Sequence, residues 1–150
     1  MSVIPIVTES HVHARAEELA GLDRDRLTLS AEERRWGRRR VKTANGRELA
    51  LALPTGTVLT PGQVLYVGAD YYVVIEAAEE AVLVVTPRSR DEAIRVAFEV
   101  GNRHFSVSID GDRLLVPDDI AMEQLLGRLG VPWKRDRAVF VPLGAGHRHE

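Results

Sequence analysis

Between residues 41 and 86 the apolar positions come in short runs dominated by β-branched residues, leucine and tyrosine: Val41 to Thr43, Arg47 to Leu53, Gln63 to Gly68, Tyr71 to Ala77 and Ala81 to Val85. Runs of that length, bounded by turn residues, predict strands rather than helices. Asn45-Gly46 separates the first two and predicts a type I′ hairpin, which needs positive φ at both central positions. Pro61-Gly62 and Gly68-Ala69-Asp70 punctuate the next pair. Ahead of them, Ser30 and Glu33 match a capping box and predict one short helical turn. The first half therefore reads as a small β domain.

The pattern changes after Thr86. Ser89 and Glu92 form a second capping-box match, followed by Ala93, Ile94, Ala97 and Phe98 at helical spacing. Gly101 is placed to end that helix in the left-handed conformation. Phe105, Val107 and Ile109 then alternate with polar residues, and Asp110-Gly111-Asp112 turns the chain into Leu114 to Val116, a hairpin. Asp118 or Asp119 caps a second helix with the face Ile120, Met122, Leu125, Leu126 and Leu129, which ends at Gly130 before Pro132. Ala138 to Val141 predicts a last strand. Strand, helix, strand, strand, helix, strand is the split βαββαβ unit of ferredoxin-like domains, with both helices on one face of a four-stranded antiparallel sheet. The expected class is α+β: a β-rich domain over 1–76, a ferredoxin-like domain over 77–143, and a short mobile His-containing tail over 144–150. The Ala/Glu stretch from Ala77 to Glu80 marks the boundary.

With 20 Lys and Arg against 22 Asp and Glu in 150 residues, the net charge of −2 gives no general attraction to polyanions. Arg34 to Lys42 is a local exception, a basic run holding Trp36. It reads as a docking patch for an acidic protein partner or as solvated surface, and nucleic acid is not expected as a partner. There is no cysteine, so thiolate metal sites, thiol nucleophiles and disulfides are excluded. No apolar stretch is long enough to span a membrane and no usual signal peptide is present, so the expected compartment is the cytoplasm. Sequence signatures of nucleophile elbows, zinc proteases, P-loops and dinucleotide folds are missing, which argues against an enzyme.

Histidine is then the main source of site chemistry. Four of the five histidines form two H-x-H pairs, His11 with His13 and His147 with His149. In an extended segment, residues two apart point the same way, so each pair can face one ion or simply be solvated. His104 stands alone after Gly101-Asn102-Arg103, where the first helix of the second half turns into the sheet. It is either a turn residue or a ligand, and Glu99 could orient it or add an oxygen. One histidine per chain becomes two if a two-fold axis lies beside it.

These pieces resemble the UreE family of urease accessory proteins, the nickel metallochaperones of urease maturation. The resemblance runs from Leu27 through the Arg34 to Lys42 segment and Asn45-Gly46 to Leu65, and from Phe98 through Gly101-Asn102-Arg103-His104 to Ile109, with the Asp118 to Gly130 helix, Ala138 to Pro142 and the histidine-bearing end. It implies a homodimer, an N-terminal partner- or peptide-binding β domain, and Ni(II) held by His104 from both protomers with His147 and His149 from the tails. Zn(II) or Cu(II) would fit the same ligands. The implied partners are the urease apoprotein and other accessory proteins, including a GTPase. Many relatives carry histidine where Glu99 stands, and the His11, His13 pair has no counterpart in the family motif. The reading from another class is a non-metal protein- or nucleic-acid-binding module that uses the β domain and the Arg34 to Lys42 run.

Overall fold

The computed structural model describes residues 3–143, which divide into two compact units meeting between Ala78 and Glu79. His147 and His149 lie outside the described residues.

The first unit runs β1 (Ile6–Val7), a four-residue helix α1 (Ala16–Leu19), β2 (Asp23–Leu29), a single 3-10 turn (Glu33–Arg35), β3 (Arg38–Lys42), β4 (Glu48–Ala52), β5 (Val64–Val67) and β6 (Tyr71–Ala77). Its strands make two three-stranded sheets, β1-β4-β3 and β2-β6-β5. The β3–β4 hairpin forms with Lys42 opposite Glu48, but its turn is not the expected type I′: Asn45 stays at negative φ, Gly46 alone is left-handed at φ 86°, and the Gly46 amide donates to the Thr43 carbonyl at 3.0 Å, so the turn centres on Ala44 and Asn45. Alternate residues of both sheets, among them Leu27, Leu29, Val41, Leu49, Leu51, Leu65, Val73 and Ile75, share one buried core. The Ser30–Glu33 capping box forms in full: the Glu33 amide donates to Ser30 Oγ at 3.1 Å, and the Ser30 amide to Glu33 Oε1 at 2.8 Å.

Two features of this unit depart from the sequence expectation. β2, Asp23-Arg-Asp-Arg-Leu-Thr-Leu29, reads as polar, yet it pairs with β6 in parallel and turns Asp25, Leu27 and Leu29 inward. Asp25 is 1% exposed and is tolerated because it accepts hydrogen bonds from the Thr43 hydroxyl, the Arg26 and Asn45 amides and the Arg47 guanidinium. Arg34 is also 1% exposed and donates to the Leu29 carbonyl at 2.8 Å, so the basic run does not begin as solvated surface. Arg38, Arg40 and Lys42 alone alternate outward along β3.

The second unit runs β7 (Glu79–Val85), α2 (Arg90–Asn102), β8 (Ser108–Asp110), β9 (Arg113–Pro117), α3 (Ile120–Leu129) and β10 (Trp133–Val139). One antiparallel sheet has the order β10-β7-β9-β8. Leu83 and Val85 of β7 and Leu114 and Val116 of β9 pack with Val96 and Val100 of α2 and Met122, Leu125 and Leu126 of α3 in one core, which puts both helices on the same face. Asp119 caps α3 by accepting from the Ala121 amide at 2.8 Å, and Gly130 closes it at φ 69°. β10 begins earlier than the sequence suggested, because its charged middle, Lys134 to Arg137, pairs with the apolar β7. Leu143, the last described residue, donates its amide to the Val107 carbonyl just before β8, at 2.8 Å.

Candidate metal centre

Helix α2 ends differently from the way glycine placement suggested. Gly101 is helical, and the left-handed residue is His104, with φ 63° the one non-glycine at positive φ among the described residues. The Phe105 amide returns to the Val100 carbonyl at 3.2 Å and the His104 amide to the Gly101 carbonyl at 2.9 Å. Together these bonds make a Schellman motif with histidine in the position usually given to glycine. Phe105 and Val100 supply its apolar contact, since both pack in the core of this unit. A side chain with a Cβ is disfavoured in this conformation. His104 is nonetheless exposed, so packing does not account for its being there.

The imidazole therefore stands at the carbonyl end of a 13-residue helix, where the helix dipole favours a cation. Glu99 does not orient it: the Glu99 carboxylate is taken by Arg103, whose Nη1 lies 2.6 Å from Oε1 and 3.1 Å from the Glu99 carbonyl. Among the described residues no three or more His, Asp or Glu side chains stand together as a metal site. Within one protomer's described residues, His104 offers a single nitrogen donor to any ion.

The helical face that carries Ile94 and Phe98 leads toward His104 and is not the covered one: the buried side of α2 is Val96 and Val100, while Ile94 is 56% and Phe98 67% exposed. They lie one turn apart, and Gly101 continues the same stripe toward the helix end. Nothing lies within 4 Å of where a Cβ on Gly101 would stand, so the backbone is open to close approach. The legible signal was that α2 carries two apolar faces, one more than a core requires.

His11 and His13 are in the first unit. Their Nε2 atoms are 3.0 Å apart and their rings meet edge to face, in a segment fixed by the Val12 amide bonded to the Val64 carbonyl at 2.7 Å.

A β-rich unit followed by a βαββαβ unit defines an α+β protein of two compact units, with His104 and the His11, His13 pair as its imidazole donors among the described residues. The model of the UreE urease accessory protein N-terminal domain matches residues 7–78, and that of the C-terminal domain matches residues 80–150. The chain is similar to the urease accessory protein UreE of Deinococcus radiodurans, 46% identical over 76% of this chain and 74% of that protein. It is also similar to UreE of Synechococcus sp. strain JA-3-3Ab, 45% identical over 82% and 83%, and to UreE of Bacillus sp. strain TB-90, 33% identical over 75% and 77%. The chain belongs to the UreE family of urease accessory proteins. It is thus an accessory chaperone protein and not an enzyme. No helix among the described residues is long and apolar enough to cross a membrane.

Proposed function

We propose that the chain delivers Ni(II) during urease maturation, as a cytoplasmic homodimer in which His104 of each protomer holds one shared ion and His147 and His149 are the exchangeable ligands. Nickel is cargo in this reading, and its proposed recipients are the urease apoprotein and accessory proteins that include a GTPase. The second unit, with strand order β10-β7-β9-β8, serves as a ferredoxin-like metal-binding domain and the first as the partner-binding domain. The supporting observation is the exposed, left-handed His104 at the end of the uncovered Ile94, Phe98, Gly101 stripe. A second copy on that stripe would bury it and bring a second imidazole, which a lone donor requires.

The reach of the chain supports the tail ligands. Leu143 is bonded to Val107, three residues beyond His104, and His147 follows Leu143 by four residues, a contour of about 14 Å. Imidazole donors also suit Zn(II) and Cu(II), so choice among these ions rests with geometry and partners. Calorimetric titration of the full chain with Ni(II) and Zn(II) at neutral pH, alongside sedimentation, tests the reading. The tightest ion should bind once per two chains and be lost in His104→Ala. If His104→Ala keeps that ion while substitution of His147 and His149 removes it, the shared centre is wrong.

A further inference from the structure

We infer that His11 and His13 form a second site for a divalent transition-metal ion, located in the first unit and independent of His104. The two Nε2 atoms face each other at 3.0 Å. Two imidazoles on one ion, each at about 2.0–2.1 Å, have nitrogens about 2.9–3.4 Å apart for ligand angles of 90–110°. The pair is thus already at the spacing an ion imposes, and small ring rotations would aim both lone pairs at one point.

Preorganisation is visible in the backbone. β1 is paired with β4, and Val12 is hydrogen-bonded to Val64, the first residue of β5, so the residues that flank Val12 are held from both sides. An H-x-H on a free segment would have to lose that freedom on binding. Here folding has already fixed it. The rings line a hollow of about 300 Å³ together with Thr8, Glu9, Ser10, Pro54 and Thr57. That leaves room for water to complete the coordination shell.

The donor set selects the ion class. Two neutral nitrogens without thiolate suit Cu(II), Ni(II) and Zn(II), with Cu(II) bound most tightly in that series, and disfavour Mg(II) and Ca(II). With only two protein nitrogens the site is open and its ion exchangeable, unlike a closed four-ligand structural centre. In the metal-free protein the two rings instead share one N–H···N hydrogen bond, which an ion at both Nε2 atoms displaces as the donor ring's proton shifts to its Nδ1.

The five histidines allow a reciprocal test in the full chain. His104→Ala/His147→Ala/His149→Ala retains only the pair, and His11→Ala/His13→Ala retains only the other three. Cu(II) and Ni(II) are titrated into both variants, the wild type and a variant lacking all five, followed by calorimetry and by the electron paramagnetic resonance of Cu(II). The expected result is one Cu(II) per chain in the triple variant, with hyperfine structure from two nitrogens, and one ion per chain fewer in His11→Ala/His13→Ala than in wild type. Loss of the shared ion in the triple variant, with the pair still loaded, keeps this proposal apart from the fate of the His104 centre. Circular dichroism checks that each variant is folded. Equal uptake by the triple variant and the variant without histidine overturns the proposal and leaves the pair a hydrogen bond only.

Discussion

Replacing His104 by Gly and, separately, by Ala divides the backbone conformation at the end of α2 from the imidazole it carries. At φ 63° an L-residue pays about 1–2 kcal/mol relative to the right-handed region, and glycine does not. Glycine also gains freedom in the unfolded chain, which offsets about 0.4–1 kcal/mol of that advantage. His104 is exposed, so neither substitution opens a cavity. The expected outcome is a Gly variant about 0.5–1 kcal/mol more stable than the Ala variant, which for a unit of this size raises Tm by about 2–8 °C. Urea and thermal unfolding without metal, followed by Trp133 fluorescence in a Trp36→Phe background so that the second unit alone is read, measures the difference. Both variants should lose the shared nickel ion equally, so stability and binding move in opposite directions in His104→Gly. A Gly variant less stable than the Ala variant would refute the left-handed assignment.

Four further outcomes are expected. Phe98→Ser removes an apolar surface whose burial at a two-fold contact is worth about 3 kcal/mol per protomer, so sedimentation should show monomer and the shared ion should be lost although His104 remains. Asp25→Ala leaves the buried Thr43 hydroxyl and two part-buried amides without their acceptor and should cost the first unit about 1–3 kcal/mol in urea unfolding. Burial raises the Asp25 pKa, but hydrogen bonds from Thr43, Arg26, Asn45 and Arg47 outweigh it and hold the carboxyl below its ordinary 3.8; this contribution is full above that value and is lost as pH falls through the lower folded value, so Asp25→Asn should flatten the acid limb of the first unit's stability curve. Nickel affinity should fall as pH is lowered from about 7.5 to 5.5, because protons compete for imidazole nitrogen, and an affinity flat across that window would point to carboxylate ligands.

Where a local pattern and the tertiary environment agreed, the sequence was legible: the Asn45-Gly46 hairpin, the Ser30 and Asp119 caps and the left-handed Gly130 all form. β2 was hidden because its inward positions begin with a carboxylate, and burial of Asp25 depends on Thr43 and Arg47, which no local pattern reveals. His104 was singled out as a candidate, but its backbone conformation was not, since glycine three residues earlier offered the cheaper helix stop and the chain does not use it. Ile94 and Phe98 fell on one helical face by their spacing, but spacing cannot tell which of two apolar faces a sheet will cover.

The parallel pairings of the first unit also fix an order of events in time. β1 and β2, synthesised first, have no partner among their immediate successors: Ile6 stands opposite Ala50, and Asp23 opposite Tyr71. The β3–β4 and β5–β6 pairs close short loops and can form early, whereas β1 and β2 must wait for strands made dozens of residues later. Until then Val7, buried in the folded unit, stays uncovered. β1 is thus made before its partner strand and placed only after it, and nascent-chain length should govern when its protease sensitivity disappears.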